Sequence, residues 1–133
     1  PARLAGRRRA PRRGGDRCTG RGPPVVTQVC CAALPVACSR IPAPAWEPFA
    51  RLVLEAACEA TLLAAAEQAR RGGTSTVLLT RLGGGAFGNA DTWIDAAIGR
   101  GLTTVADEGL DVCLVSYGTV HPGMRQIASA WAG

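Results

Sequence analysis

The residues best suited to chemistry in this chain are Gly83-Gly84-Gly85-Ala86-Phe87-Gly88, four glycines in six positions, bounded by Leu82 and Asn89. An apolar, strand-like run precedes them and a helical pattern follows. Without Cβ atoms, such a loop can bring several backbone N–H groups close to a guest. The partial positive charge of the next helix N-terminus favours an anion there, so phosphate is the natural guest. The competing reading of the same loop is a flexible turn. A Walker A site is excluded, because no Lys-Ser/Thr pair follows the glycines. Gly83, Gly85 and Gly88 do satisfy G-x-G-x-x-G. A dinucleotide fold, however, needs an acid at the end of the next strand, and that position holds Ser116-Tyr117. Glu108 and Asp111 come too early to serve.

Few other side chains suggest chemistry. Tyr117 sits at a strand's carboxyl end, where its ring either stacks on a ligand or packs on the following helix. His121, the only histidine, precedes Pro122 in an expected loop and has no sequence-adjacent partner, so it is read as structural or solvent-facing. Asp91 and Asp95 fall in the first turns of a helix, where dipole compensation accounts for them. Glu55 and Glu59 lie four apart on a helix's polar side. The six cysteines form no C-x-x-C pair, and five of them lie in apolar segments as small hydrophobes, so no metal site is expected. No nucleophile, base and orienter trio is legible, and the catalytic residues are unknown.

The elements that must position the loop can be read from periodicity. Val25-Val26-Thr27-Gln28-Val29-Cys30-Cys31 is short, β-branched and preceded by Pro23-Pro24, which predicts a strand. Residues 32–45, with three prolines, form an irregular connection. From about Trp46 to Arg71 the spacing is helical: Phe49, Leu52, Val53, Ala56, Ala57, Ala60 and Leu63 form the expected buried stripe, with Glu47, Arg51, Glu55 and Glu59 opposite. Gly72-Gly73 supplies the C-cap. Strands are predicted over 76–82 and 110–116. A helix is predicted from an N-cap at Asn89 to Asp91 as far as about Asp107, and a last helix follows Pro122. The alternation of strand and helix predicts an α/β fold with a parallel sheet and helices on both faces.

Charge is unevenly placed. The first 21 residues hold eight arginines against Asp16 alone, a net +7, whereas the remainder has seven arginines against nine acids, a net −2. All 15 basic residues are arginines in a chain rich in Ala and Gly, a pattern that follows genomic base composition as readily as it follows chemistry. Residues 1–23 are therefore expected to be a disordered Arg-rich arm, and 24–133 a single α/β domain. Nucleic-acid binding through the arm is a further alternative, disfavoured because no aromatic is interleaved to stack on bases. No apolar run is long enough to cross a bilayer. No secretory leader is legible, so the expected compartment is intracellular, the cytoplasm.

Val77-Leu-Leu-Thr-Arg-Leu-Gly-Gly-Gly-Ala-Phe-Gly-Asn89, Trp93–Ile98 and Leu110-Asp-Val-Cys-Leu-Val-Ser-Tyr117 resemble the C-terminal half of a macrodomain. Gln28–Ser39, Trp46–Ala50 and Leu54–Thr61 are similar to a divergent macrodomain branch related to poly(ADP-ribose) glycohydrolase and to bacterial ADP-ribosyl hydrolases. The resemblance spans about residues 25–131. It implies a three-layer macrodomain-like sheet and binding of ADP-ribose or an ADP-ribosylated protein, with no cofactor. Gly83, Gly84, Gly85, Ala86, Phe87, Gly88 and Asn89 would lie around the diphosphate and proximal ribose, and Tyr117 beside the adenosine. The family's first half, which supplies the catalytic acids, has no match here. The expectation is thus a partial domain that binds ADP-ribose, with glycohydrolase activity depending on residues this chain lacks. The alternative is a non-catalytic fragment or interaction module without a ligand. Arg81 stands where the family has an aliphatic residue.

Overall fold

The computed structural model describes Ala2–Ala5 and residues 26–131. The elements run β1 (Ala2–Ala5), α1 (Ala43–Arg70), β2 (Thr76–Thr80), α2 (Asp91–Thr104), β3 (Asp111–Val115) and α3 (Pro122–Trp131). Short 3-10 turns lie at Val36–Cys38 and Gly85–Phe87. The sheet order is β1-β3-β2. β2 and β3 are parallel, with Val77 opposite Val112 and Leu79 opposite Leu114, and β1 is antiparallel to β3. The fold is mixed α/β, and α2 is the crossover that returns the chain for parallel pairing.

Two sequence expectations change in the sheet. Residues 26–31 form no strand and are exposed. A β-branched alternation is only half of what a strand needs, because the backbone must also find a ladder partner, and the outer edge of β2 is left without one among the described residues. The third strand is instead β1, drawn from the Arg-rich arm. Pairing through main-chain N–H and C=O groups requires no apolar face, which is why four residues of that arm can add to the sheet. The rest of the arm lies outside the described residues.

Layering also differs from the expectation. Val77, Leu79, Val112 and Leu114 are buried on one side of the sheet beneath α1 and α2. On the other side Leu78 is 68% exposed. Among the described residues the sheet is thus covered on one face, not on both. No described helix is long and apolar enough to cross a membrane. Of the cysteines, Cys58 is buried and Cys113 half-buried, whereas Cys30, Cys31 and Cys38 are exposed, contrary to their expected role as small core residues.

The largest correction concerns α1. Its buried residues are Ala50, Leu54, Cys58, Leu62 and Ala66, one every four positions. The stripe expected inside, with Phe49, Leu52 and Leu63, faces outward. The helix is apolar on two sides, so periodicity alone cannot choose between them. The choice is made by α2. At Gly101 an added Cβ would lie 3.0 Å from Leu62 Cδ1 and 3.4 Å from Cys58 Cβ. The two helices therefore meet backbone to side chain at a glycine, and the row of residues spaced by four fills that contact. Burial there raises the Cys58 thiol to about 11, helped by Cys31 nearby.

Both α1 ends follow the local chemistry. Pro44 lies in the first turn, and after Arg70 the chain turns through Gly72 at φ +87°, with Gly72 N–H donating to Ala69 O and Gly73 N–H to Gln68 O. α2 is shorter than predicted. It begins without a side-chain cap, because Asn89 is turned inward, and it ends at Thr104. Adjacent leucines test the orientation of α1. Leu62→Ala should lose about 2–5 kcal/mol of stability, as for a fully buried leucine. Leu63→Ala should stay within about 0.5 kcal/mol. Urea denaturation of dilute protein reads both, and comparable losses would contradict the packing described.

Candidate ligand-binding site

The carboxyl ends of β2 and β3 lie at one edge of the sheet, and the loops that follow them gather the chemistry. Gly83 (φ +87°), Gly85 (φ +62°) and Gly88 (φ +69°) all adopt the left-handed region, where side-chain-bearing residues are disfavoured. Gly88 N–H donates to Gly85 O at 3.0 Å, and Asn89 N–H to Gly83 O at 3.1 Å, closing the loop on itself. Neither bond uses the N–H groups of Gly84, Gly85 or Ala86.

The glycines divide into two kinds. A Cβ on Gly83 would meet Ala33 Cβ at 2.7 Å, and one on Gly88 would meet Ala37 Cβ at 2.6 Å. These two glycines admit the segment leading into α1, which is pressed onto the loop. Asn89 completes that clamp, its Nδ2 donating to Leu34 O at 2.8 Å and Gly83 O at 3.0 Å, while its buried Oδ1 has no hydrogen-bond partner among the described residues. A Cβ on Gly85 would meet nothing within 4 Å. Gly85, Ala86, Phe87 and Gly88 are exposed, and the Phe87 ring, 42% exposed, lies outside the core. The loop thus has an inner side committed to packing and an outer side open to a guest.

At the end of β3, Tyr117 is fully exposed. With Thr80, Arg81, Val115, Ser116 and Met124 it lines an open cleft of about 390 Å³. Ser116 Oγ donates to Thr119 O at 3.0 Å, a bond across the turn that carries Tyr117. Of the sequence-identified site residues, Gly85, Ala86 and Phe87 form the open loop surface, Gly84 is half-buried over Ile94, Gly83 and Gly88 lie against Ala33 and Ala37, Tyr117 borders the cleft, and Asn89 is held inward.

Between loop and cleft stands a cluster that the sequence did not reveal. Arg81, directly after β2, has a side chain only 12% exposed. Its Nη2 lies 2.8 Å from Asp91 Oδ1 and 3.1 Å from Asp95 Oδ1, the latter off the hydrogen-bond direction. Its Nη1 contacts His121 Nδ1. Gly123 N–H also donates to Nδ1, at 3.1 Å. Two donors converge on Nδ1, so that nitrogen is the acceptor and Nε2 carries the ring proton, 3.2 Å from Asp91 Oδ2. Burial lifts the Asp95 carboxyl above the ordinary range. Arg81 and His121 oppose this, and Asp91 adds to it. A Cβ on Gly123 would overlap the Asp95 carboxylate, so only glycine lets α3 start there. The signal that could have found the cluster is the four-residue spacing of Asp91 and Asp95, which places both on one helix face. No local pattern links them to Arg81 or His121.

Compared with protein-family models, curated proteins and solved structures, the chain matches none.

Two measurements test this geometry. Gly83→Ala should destabilise strongly, through overlap with Ala33 and an unfavourable φ, whereas Gly85→Ala should cost only backbone strain of about 1–2 kcal/mol. Equal thermal shifts would refute the division of the loop. For Asp95, a carboxyl whose folded pKa is raised contributes stability that is fully present below its unfolded value of about 3.9 and is lost as pH rises through the folded value. The melting temperature of the wild type relative to Asp95→Asn should therefore be highest in acid and fall as pH rises. A gap that widens with pH would show the carboxylate to be stabilised instead.

Proposed function

We propose that the chain is a macrodomain-like module that binds ADP-ribose, free or attached to protein, at the edge formed by the glycine loop and the Tyr117 cleft. One observation carries the reading: Gly85 sits at positive φ with open space where its Cβ would be, next to the exposed Ala86 and Phe87. Glycine at this outer position suits the positive φ and serves no packing contact, and its missing Cβ leaves the backbone open to an approaching diphosphate. Support comes also from its place at the carboxyl ends of parallel strands, where open α/β sheets bind ligands. The exposed Tyr117 ring at the neighbouring strand end is available to stack on an adenine. The resemblance in sequence to macrodomains supplies the identity of the ligand. The proposal is of binding. The hydrolysis performed by relatives in that family uses groups from a half of the domain that has no counterpart in this sequence.

Calorimetric titration with ADP-ribose, using AMP and NAD as controls, is the direct test. A folded sample should bind ADP-ribose in preference to both controls, and saturation should raise its melting temperature, by about 2.7 kcal/mol of added stability at a hundredfold excess over Kd. Gly85→Glu should fold, because its side chain enters open space, yet lose the ligand-induced shift, since its carboxylate would repel the diphosphate. Phe87→Ala should melt close to the wild type and bind more weakly by about 1–3 kcal/mol. An unchanged ligand response in all three proteins would rule the loop out as the site.

A further inference from the structure

We propose that His121 is a pH-sensitive cap of α3, which holds the Tyr117 cleft in its binding shape while the imidazole is neutral and releases it when the ring is protonated. α3 begins with Pro122, which has no N–H, so its donors start at Gly123. Gly123 N–H donates to His121 Nδ1 at 3.1 Å, and the N–H groups of Met124 and Arg125 both reach His121 O, at 3.1 and 3.4 Å. One residue thus satisfies the first donors of the helix, as a capping asparagine or serine does elsewhere. Unlike those side chains, this cap can lose its acceptor, because an imidazolium carries N–H on both ring nitrogens. Histidine is also the side chain that ordinarily changes charge between about pH 5 and 8. The His121 side chain is 36% exposed, open to a proton from solvent.

The groups around the ring oppose its protonated form where the cap is made. From the end of β2, Arg81 Nη1 meets the same Nδ1, so a proton there would set two cationic donors and a backbone N–H against one another. A positive charge at a helix N-terminus also opposes the macrodipole. From α2, Asp91 Oδ2 lies 3.2 Å from Nε2, and Asp95 Oδ1 lies 3.1 Å from the Arg81 guanidinium. Asp91 is 62% exposed, so its attraction is screened, and Nε2–H faces it in both protonation states. It anchors one side of the ring without restoring the acceptor on the other. On α3 itself, Arg125 is turned back to Val120 O at 3.1 Å, and at the end of β3 Tyr117 is fully exposed.

The cap is joined to the cleft at two points. Met124, in the first turn of α3, is fully buried and lines the cleft together with Arg81 and Tyr117. Gly123 rests against the Asp95 carboxylate with no room for a Cβ. Loss of the cap frees the turn that seats Met124 and displaces the guanidinium beside it, so the binding-competent form is a smaller share of the molecules in acid. Affinity for ADP-ribose therefore falls with pH. That consequence rests on the binding proposed above, whereas the cap itself does not.

Amide hydrogen exchange of the full chain without ligand, followed by NMR at neutral pH (about 7.5) and in mild acid (about 5.5), is the test. In acid the Met124 and Arg125 amides of the wild type should lose protection by about tenfold after correction for the intrinsic rate. His121→Asn, whose amide oxygen caps without titrating, should keep its protection at both pH values. His121→Ala should show the acid pattern already at neutral pH. ADP-ribose should bind the wild type at least about threefold more weakly in acid, and His121→Asn equally at both pH values. Circular dichroism checks that every variant keeps its helix content. Wild-type protection that ignores pH would overturn the proposal, as would a pH response that persists in His121→Asn, which would assign the titration to another group such as Asp95. Amide changes in a protein that binds no ADP-ribose would uphold the cap and refute the ligand reading. Amide changes with an affinity indifferent to pH would refute the coupling of cap to cleft.

Discussion

The contact on which the rest of this structure depends is the close approach of α1 to α2 at Gly101. The missing side chain there lets Leu62 and Cys58 come within van der Waals distance of the α2 backbone. Leu54, Leu62, Ile94, Ile98 and Leu102 are then sealed between the helices and the sheet. Dense packing of this kind is what a small domain has in place of size, since a chain of this length buries a smaller fraction of its surface than a larger one. Once α1 is fixed in this rotation its C-terminus feeds β2, and α2 returns the chain to β3. The parallel strand pair is therefore a consequence of the helix packing as much as of the strands' own pattern.

The loop edge is held by a different kind of force. Around Gly83, Gly88 and Asn89 the structure uses close backbone approach and a side-chain amide to pin the segment before α1 onto the loop after β2. Around Arg81 it uses an ionic hydrogen bond to Asp91, an ion pair with Asp95 and a contact with the His121 ring, drawing the start of α2 and the start of α3 onto the same guanidinium. A side chain that remains largely buried while meeting two carboxylates and an imidazole is satisfied on the spot, which offsets the cost of taking its charge out of water. The result is a bonded cluster standing between an open glycine loop and an exposed tyrosine.

Apolar surface remains uncovered in two places, the outward side of α1 and the side of the sheet that carries Leu78. The two differ in kind. The sheet side presents Leu78 beside threonines, an ordinary mixture for a half-solvated strand. The helix side presents Phe49, Leu52 and Leu63 along one face of α1, the side turned away from α2.

How much of this was legible before the fold was known depends on how local each signal is. β2 and β3 with a helix between them, the turn at Gly72 and the glycine loop between β2 and α2 follow from backbone preferences and short-range periodicity, and all appear in the structure close to where the sequence placed them. The buried side of α1 was not legible, because Phe49–Leu52–Leu63 and Leu54–Cys58–Leu62 satisfy helical spacing equally well, and only the gap opened by Gly101, far along the chain, favours the second row. The strand expected over residues 25–31 failed for a related reason: a strand's free energy is made with its neighbour, and residues 26–31 are given none, whereas Ala2–Ala5 finds one at the far edge of β3. Arg81, Asp91, Asp95 and His121 carried no shared motif, so their meeting was decided entirely by the strand ends and helix starts that bring them together. Local conformational energies belong to the sequence read a few residues at a time; the choice among equally good local solutions is made by packing and charge between segments that only the tertiary structure places side by side.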